Sequence, residues 1–275
     1  MAAAANNSDI HRPLCSVTGV NTGIGIEVAR GLARVGFRAV LACRDRAKGE
    51  GARNAIVSET RNPDVELLIV DLVNQPSIRS AAEEFSRKHD VLDVLVNNAG
   101  TTSLTRRESP DGIELTFATN VLGYNLLTRQ LLELLRRAPA ARVINTASLM
   151  AYGLDLDDVN FKRRSYDAST AYAQSKQADR MLTWALARRL VGTSITANAF
   201  HPGTVNTALL RALVPGFSGV TPAEGAETAI WLATSPEVAG MNGRLWVRRR
   251  EARCEFRGRE NEEALWSLCD RMTAG

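Results

Sequence analysis

The 275 residues are 45% hydrophobic and 23% charged, an ordinary globular balance for a chain long enough to bury a large core. A formal charge of +4 and a pI near 9.1 do not mark a nucleic-acid binder. The basic residues are scattered without interleaved aromatics, and only Lys48, Lys88, Lys162 and Lys176 of the 34 are lysine, a skew that GC-rich coding produces. Cys15, Cys43, Cys254 and Cys269 lack metal-site spacing, so neither a disulfide framework nor a metal is expected. Residues 1–9 lack the charged and apolar regions of a signal peptide, and no run of 18 apolar residues occurs. The expectation is a cytoplasmic protein without a membrane anchor.

Along the chain, residues 1–12 read as a loose arm, and 13–275 as one domain, since no repeat or Gly/Ser/Pro-rich linker interrupts them. Short apolar runs rich in Val, Leu and Ile predict strands at 14–20, 38–44, 65–72, 91–97, 142–147, 194–200 and 244–247. Segments of helical period lie between them, at 24–35, 46–60, 77–89, 112–137, 169–190 and 222–234. Residues 248–275 read as a polar strand exit and a final helix. Continuous apolar strands alternating with helices predict an α/β fold: a doubly wound (Rossmann) parallel sheet of about seven strands, with helices on both faces.

Three motifs fall on this frame. The first strand runs into Thr18-Gly19-Val20-Asn21-Thr22-Gly23-Ile24-Gly25, where glycines allow a sharp turn and a helix N-terminus favours a phosphate. Asn97-Asn98-Ala99-Gly100 follows the fourth strand, and Tyr172-Ala-Gln-Ser-Lys176 lies on a helix. Four residues apart, Tyr172 and Lys176 share a helix face, so the ammonium can favour the phenolate of a group otherwise too weak for acid–base work at neutral pH. In this order the motifs resemble the short-chain dehydrogenase/reductase family over nearly the whole chain. The segment 153–161 after Ser148, together with Cys43-Arg44-Asp45 and Phe200-His201-Pro202-Gly203, is similar to its retinol dehydrogenase-like branch.

The resemblance implies an oxidoreductase moving hydride between a nicotinamide cofactor and a carbonyl or alcohol. It implies a catalytic set of Asn120, Ser148, Tyr172 and Lys176, with Tyr172 as acid/base, Lys176 as its electrostatic partner and a holder of the nicotinamide ribose, and Asn120 in a water-linked relay. For the cofactor it implies Gly19, Asn21, Thr22, Gly23, Ile24 and Gly25 at the phosphates, and Asp71, Leu72, Asn98, Ala99 and Gly100 along the adenosine. Pro202, Gly203, Val205 and Thr207 would face the nicotinamide, beside Tyr172 and Lys176. Competing structural roles stay open: Ser148 as a strand-end cap, Asp71 as a helix cap, and His201 as a turn residue rather than a base.

Cofactor choice rests on the second strand's end. NAD-using relatives carry a carboxylate where Cys43 stands, whereas here Arg44 offers a planar cation suited to a 2′-phosphate, so NADP(H) is expected. Asp45 either caps the next helix or, as a ribose ligand, argues for NAD. Residues 204–220 correspond to a lid, and Met150, Leu209, Leu210, Leu213 and Phe217 are candidate substrate contacts, unless the leucines are ordinary packing. Apolar contacts would mean a bulky apolar substrate, with a polyketide-like ketone as first candidate and retinal or another lipid aldehyde as second. A non-catalytic NADP-binding redox sensor is the reading from another class, and the complete catalytic set argues against it. Self-association is left open.

Overall fold

The computed structural model describes residues 11–213, 216 and 218–274; the side chain of Leu213 lies outside it. Eight strands form one sheet in the order β3-β2-β1-β4-β5-β6-β7-β8. They are β1 (Leu14–Thr18), β2 (Arg38–Cys43), β3 (Val65–Ile69), β4 (Val94–Asn97), β5 (Arg142–Thr146), β6 (Thr196–His201), β7 (Leu245–Val247) and β8 (Arg250–Ala252). All pairings are parallel except β7 with β8.

The helices are α1 (Ile24–Arg34), α2 (Arg46–Thr60), α3 (Gln75–Lys88), α4 (Leu115–Phe117), α5 (Gly123–Gln130), α6 (Leu132–Arg137), α7 (Ala168–Arg189), α8 (Ala208–Leu213), α9 (Pro222–Thr234) and α10 (Arg259–Thr273). Short polar side chains start several of them: Asp45 accepts from Lys48 N, Asn74 from Ser77 N and Asp167 from Thr170 N, while Thr221 and Glu224 form a reciprocal capping box.

The strands are apolar on both sides because both sides are covered. Leu14, Val40, Ala42, Leu95 and Val143 pack with Phe85 of α3, Leu127 of α5 and Leu186 of α7. Cys15, Val17, Leu41, Val96 and Ile144 pack on the other face with Leu32 of α1, Ile56 of α2 and Leu232 of α9. The strand order reverses between β1 and β4. This opens a crevice at their carboxyl ends, where open α/β sheets bind ligands.

Three details differ from the sequence expectation. An eighth strand is present, because Arg248 and Arg249 both adopt positive φ (50° and 61°) and turn the chain back against β7 as a hairpin. The segment 112–137 is not one helix: a π-helical turn, Ala118–Leu122, separates α4 from α5, and Leu131 breaks α5 from α6. Residues 1–10 of the expected arm lie outside the described residues. His11 and Arg12 are tethered, His11 to Asp93 at 2.8 Å and Arg12 to Asp64. All four cysteines are free and buried, and among the described residues no helix is long and apolar enough to cross a membrane.

Candidate active site

The turn after β1 is shaped by contacts that only glycine permits. Gly19 sits at φ 74°, and a Cβ there would meet Ala99 Cα at 2.6 Å; a Cβ on Gly25 would meet Gly19 O at 2.4 Å. Backbone from the loops after β1 and β4 is thereby pressed together. Thr18 Oγ1 accepts from Asn98 N (2.9 Å) and Ala99 N (3.0 Å), and Asn98 Nδ2 donates to Thr18 O (3.0 Å). Gly23 is the N-cap of α1 and brings no side chain to it, so the first amides of α1 remain donors. Asn21 Oδ1 is buried beside them without a partner. Thr22 is exposed and Ile24, half-buried, opens the helix. An uncapped helix end with free amide donors and a backbone cradle that excludes side chains together fit a dinucleotide pyrophosphate, while the orphaned Asn21 Oδ1 needs a donor such as a hydroxyl.

Around this cradle the other expected cofactor residues converge. Arg44 is exposed just beyond β2 and makes no hydrogen bond or ion pair among the described residues. Asp45 is the cap of α2, which removes the main reason to read it as a ribose ligand. Asp71 is not the cap of α3, a role Asn74 takes; its Oδ1 accepts from Val73 N at 3.3 Å, and it remains half-buried. Leu72 is core, packed where a Cβ on Gly123 would be 2.9 Å away. Beyond β6, Pro202 is half-buried and Gly203 has φ 88°. Val205 is buried and pairs with Val220, closing the base of the following loop. Thr207 reaches the cradle itself, with Cγ2 3.2 Å from a Cβ built on Gly23.

The reacting groups lie where β5, α7 and the π-helical turn meet. Ser148 follows β5 and is buried; its Oγ accepts from Met150 N at 3.1 Å, which leaves its own proton free to be donated. Tyr172 is half-buried on α7, and its hydroxyl has no protein partner among the described residues. Lys176 Nζ is 5.9 Å from the Tyr172 ring centre and 5.3 Å from that of Tyr124. Its ammonium donates to Thr146 O (2.9 Å) and to Asp179 Oδ2 (2.8 Å). Burial alone would lower the lysine's pKa, but Asp179, Tyr124 and Tyr172 outweigh it and hold the group above the ordinary lysine range. Asn120, mid-way through the π-helical turn, donates to Ser175 Oγ (3.0 Å) and Thr101 O (3.1 Å). Ser175 in turn donates to Tyr172 O (2.7 Å), so Asn120 braces the helix bearing the tyrosine.

His201 ends β6, and Leu149 N donates to its Nδ1 at 3.3 Å. Burial, reinforced by Arg180 and Arg248, lowers its pKa to about 4. A neutral imidazole with Nδ1 already engaged is a turn residue and not a base at neutral pH.

Asp179 and Arg180 were not among the expected site residues. Both are 2% exposed, and Arg180 donates to Ser148 O. Of the candidate substrate contacts, Met150, Leu209 and Leu210 are half-buried, and Leu209 Cδ1 lies 3.8 Å from a Cβ built on Gly100. Leu213 lies on α8 with its side chain undescribed, and Phe217 lies outside the described residues. Leu104, Leu149 and Tyr152, at 72%, 57% and 47% exposure, are large apolar side chains on the loops after β4 and β5.

Comparison with known proteins gives this geometry its family. The model of the short chain dehydrogenase family matches residues 14–216. Human retinol dehydrogenase 14 is 37% identical over 292 aligned positions, covering 96% of this chain and 87% of that protein. Mouse retinol dehydrogenase 12 is also 37% identical, over 95% of this chain and 86% of its own length. A structure of an uncharacterised protein from Mycobacterium paratuberculosis superposes with a TM-score of 0.79 at 29% identity, covering 97% of this chain and 96% of that one. The chain therefore belongs to the short-chain dehydrogenase family, in its retinol dehydrogenase-like branch, and is a nicotinamide-dependent oxidoreductase acting on CH–OH and C=O groups.

Proposed function

We propose that the chain uses NADP(H) to interconvert a bulky apolar aldehyde or ketone and its alcohol, with a retinal-like or other lipid aldehyde as the substrate class. One observation carries the chemistry: an unpartnered Tyr172 hydroxyl near a buried ammonium, on the helix beside Ser148. When bound, the reduced nicotinamide supplies the hydride to the carbonyl carbon. Gly19, Gly23, Gly25 and the first amides of α1 hold its pyrophosphate, and Arg44 takes the 2′-phosphate.

Negative charge grows on the substrate oxygen as the hydride arrives, and two donors meet it. Ser148 donates its free hydroxyl proton in a hydrogen bond, and Tyr172 transfers its proton to make the alcohol. The Lys176 ammonium stabilises the phenolate left behind, and one proton from solvent restores the phenol. Asn120 holds α7 in place from the π-helical turn.

The apolar preference is supported by Leu104, Leu149 and Tyr152, which the fold leaves exposed on the loops after β4 and β5, Leu149 directly following Ser148 in the chain. The relatives' names point the same way, and nothing among them supports the polyketide-like ketone expected first. Family membership and the complete constellation weigh against the sensor reading. The test is NADPH consumption with retinal and long-chain aldehydes beside small water-soluble ketones. The proposal expects kcat/KM to be highest for the apolar aldehydes; turnover confined to small polar carbonyls would overturn it.

A further inference from the structure

Lys176 is the pivot of the proposed reaction, yet its shortest contact is with a carboxylate and not with Tyr172, whose ring centre is 5.9 Å away. Asp179, one turn further along α7, takes the ammonium at 2.8 Å with side chains only 4% and 1% exposed. A lysine has three protons to donate; Thr146 O and Asp179 Oδ2 take two, which leaves one for the cofactor side. Burying an isolated ammonium would push it towards its neutral form, and a neutral amine offers Tyr172 no field. The carboxylate is what keeps the charge inside.

Asp179 is itself only half satisfied by protein. Its Oδ1 is buried without a partner, as are Tyr124 OH and Asn125 Oδ1. Asp179, Tyr124 and Asn125 line the same cavity of about 20 Å³, with Thr128, Asn145 and Arg129 among its other walls. That space suits one water, and a buried water makes about three hydrogen bonds. Donation to Asp179 Oδ1 and Asn125 Oδ1, with acceptance from Tyr124, would satisfy all three orphaned atoms.

We propose that Asp179 is a positioning residue for Lys176. One carboxylate oxygen holds the ammonium charged and aimed past Thr146, the other is served by a water in the cavity behind it, and protonation of Asp179 switches the site off. The inference rests on the roles proposed above for Tyr172 and Lys176. Burial pushes the Asp179 carboxyl up to about 6, with Lys176 offsetting this only in part. Tyr172 faces the pair from α7 itself, Tyr124 from α5 and Cys269 from α10. Arg129 at the cavity rim is paired with Asp270 at 2.5 Å, and β5 contributes only the neutral Thr146 and Asn145. Burial raises the pKa of the Tyr124 phenol and of the Cys269 thiol far above that of the carboxyl, and His201 at about 4 lies well below it. A limb near pH 6 therefore belongs to Asp179.

The experiment is kcat for aldehyde reduction at saturating NADPH across roughly pH 5–8, in wild type, Asp179→Asn and Tyr172→Phe. Saturation removes the cofactor phosphate's own titration from the profile. Wild type should lose activity as pH falls through about 6. Asp179→Asn keeps an acceptor but removes the charge; it should be slower by at least about tenfold and lack the limb. A flat wild-type profile overturns the inference, whether or not the variant folds. So does a folded Asp179→Asn that keeps the wild-type rate and limb while Tyr172→Phe is inactive, and in that case the site reading survives. Activity retained in Tyr172→Phe overturns that reading, and this inference with it.

Discussion

Arg180 donates from its guanidinium to the backbone carbonyl of Ser148, one turn beyond Lys176 on α7. Among the described residues no carboxylate pairs with it, and its Nε is buried without a partner. A buried, uncompensated cation is a poor device for stability, so its value lies in fixing the Ser148 loop. Arg180→Met should then keep or raise the melting temperature while lowering kcat. It should also raise the His201 pKa above about 4, because the second cause of its depression is removed while burial remains. Proton NMR titration can follow this, since the chain has three histidines. An unchanged His201 titration together with unchanged kcat would remove Arg180 from the site.

The exposed, unpaired guanidinium of Arg44 carries the cofactor assignment. Arg44→Ala should weaken NADPH binding by about 1.5–3 kcal/mol, the worth of a charge-assisted contact, and leave NADH almost unchanged. Dissociation constants for both cofactors, measured by fluorescence titration, decide it. Equal affinities in the wild type would exclude the role.

Leu209 and Leu210 begin the segment proposed to cover the substrate, and Leu210 N is tied to Thr207 Oγ1 at 3.2 Å. If they contact substrate, Leu210→Ser should raise KM for bulky aldehydes at least severalfold more than for small ones, since burying such a side chain is worth about 1.5–3 kcal/mol. Simple packing predicts a lower melting temperature and equal losses on both. Kinetics on one large and one small carbonyl, beside a thermal melt, separates the two.

Helix α10 is docked on α7 by charge as well as by apolar contact. Glu263 pairs with Arg188 at 2.9 Å and Arg189 at 2.5 Å, and Arg189 lies 4.1 Å from the Trp266 ring centre. Hydrogen bonds from Arg189 and then Arg188 depress the Glu263 pKa to about 2. A depressed carboxylate contributes stability above its unfolded pKa and loses it as pH falls through the folded one. Docking should therefore weaken between about pH 4.5 and pH 2, read as a change in Trp266 fluorescence. The group is partly exposed, so the contribution is at most about 1 kcal/mol. A Glu263→Gln variant should lose this acid dependence.

The fold was legible because its strands are apolar on both faces and its glycine turn falls directly after the first of them. The break at Ala118–Leu122 was not, since residues 112–137 keep helical period across it and a π-helical turn leaves no compositional mark. The β7–β8 hairpin was hidden because two arginines, not glycine or asparagine, take the positive φ. Asp179 and Arg180 were not legible as site residues, because charged side chains on a helix normally meet solvent. Their burial depends on distant chain, with Cys254 and Phe256 against Arg180 and Cys269 of α10 near Asp179. No local pattern reports such a contact.

In the proposed reaction Tyr172 delivers the proton within an otherwise intact cofactor site. Single-turnover hydride transfer from bound NADPH to retinal, compared between wild type and Tyr172→Phe, tests it most directly. The NADPH dissociation constant should be unchanged and the rate lower by at least about 10²-fold in Tyr172→Phe. A Tyr172→Phe enzyme that transfers hydride at close to the wild-type rate would contradict it.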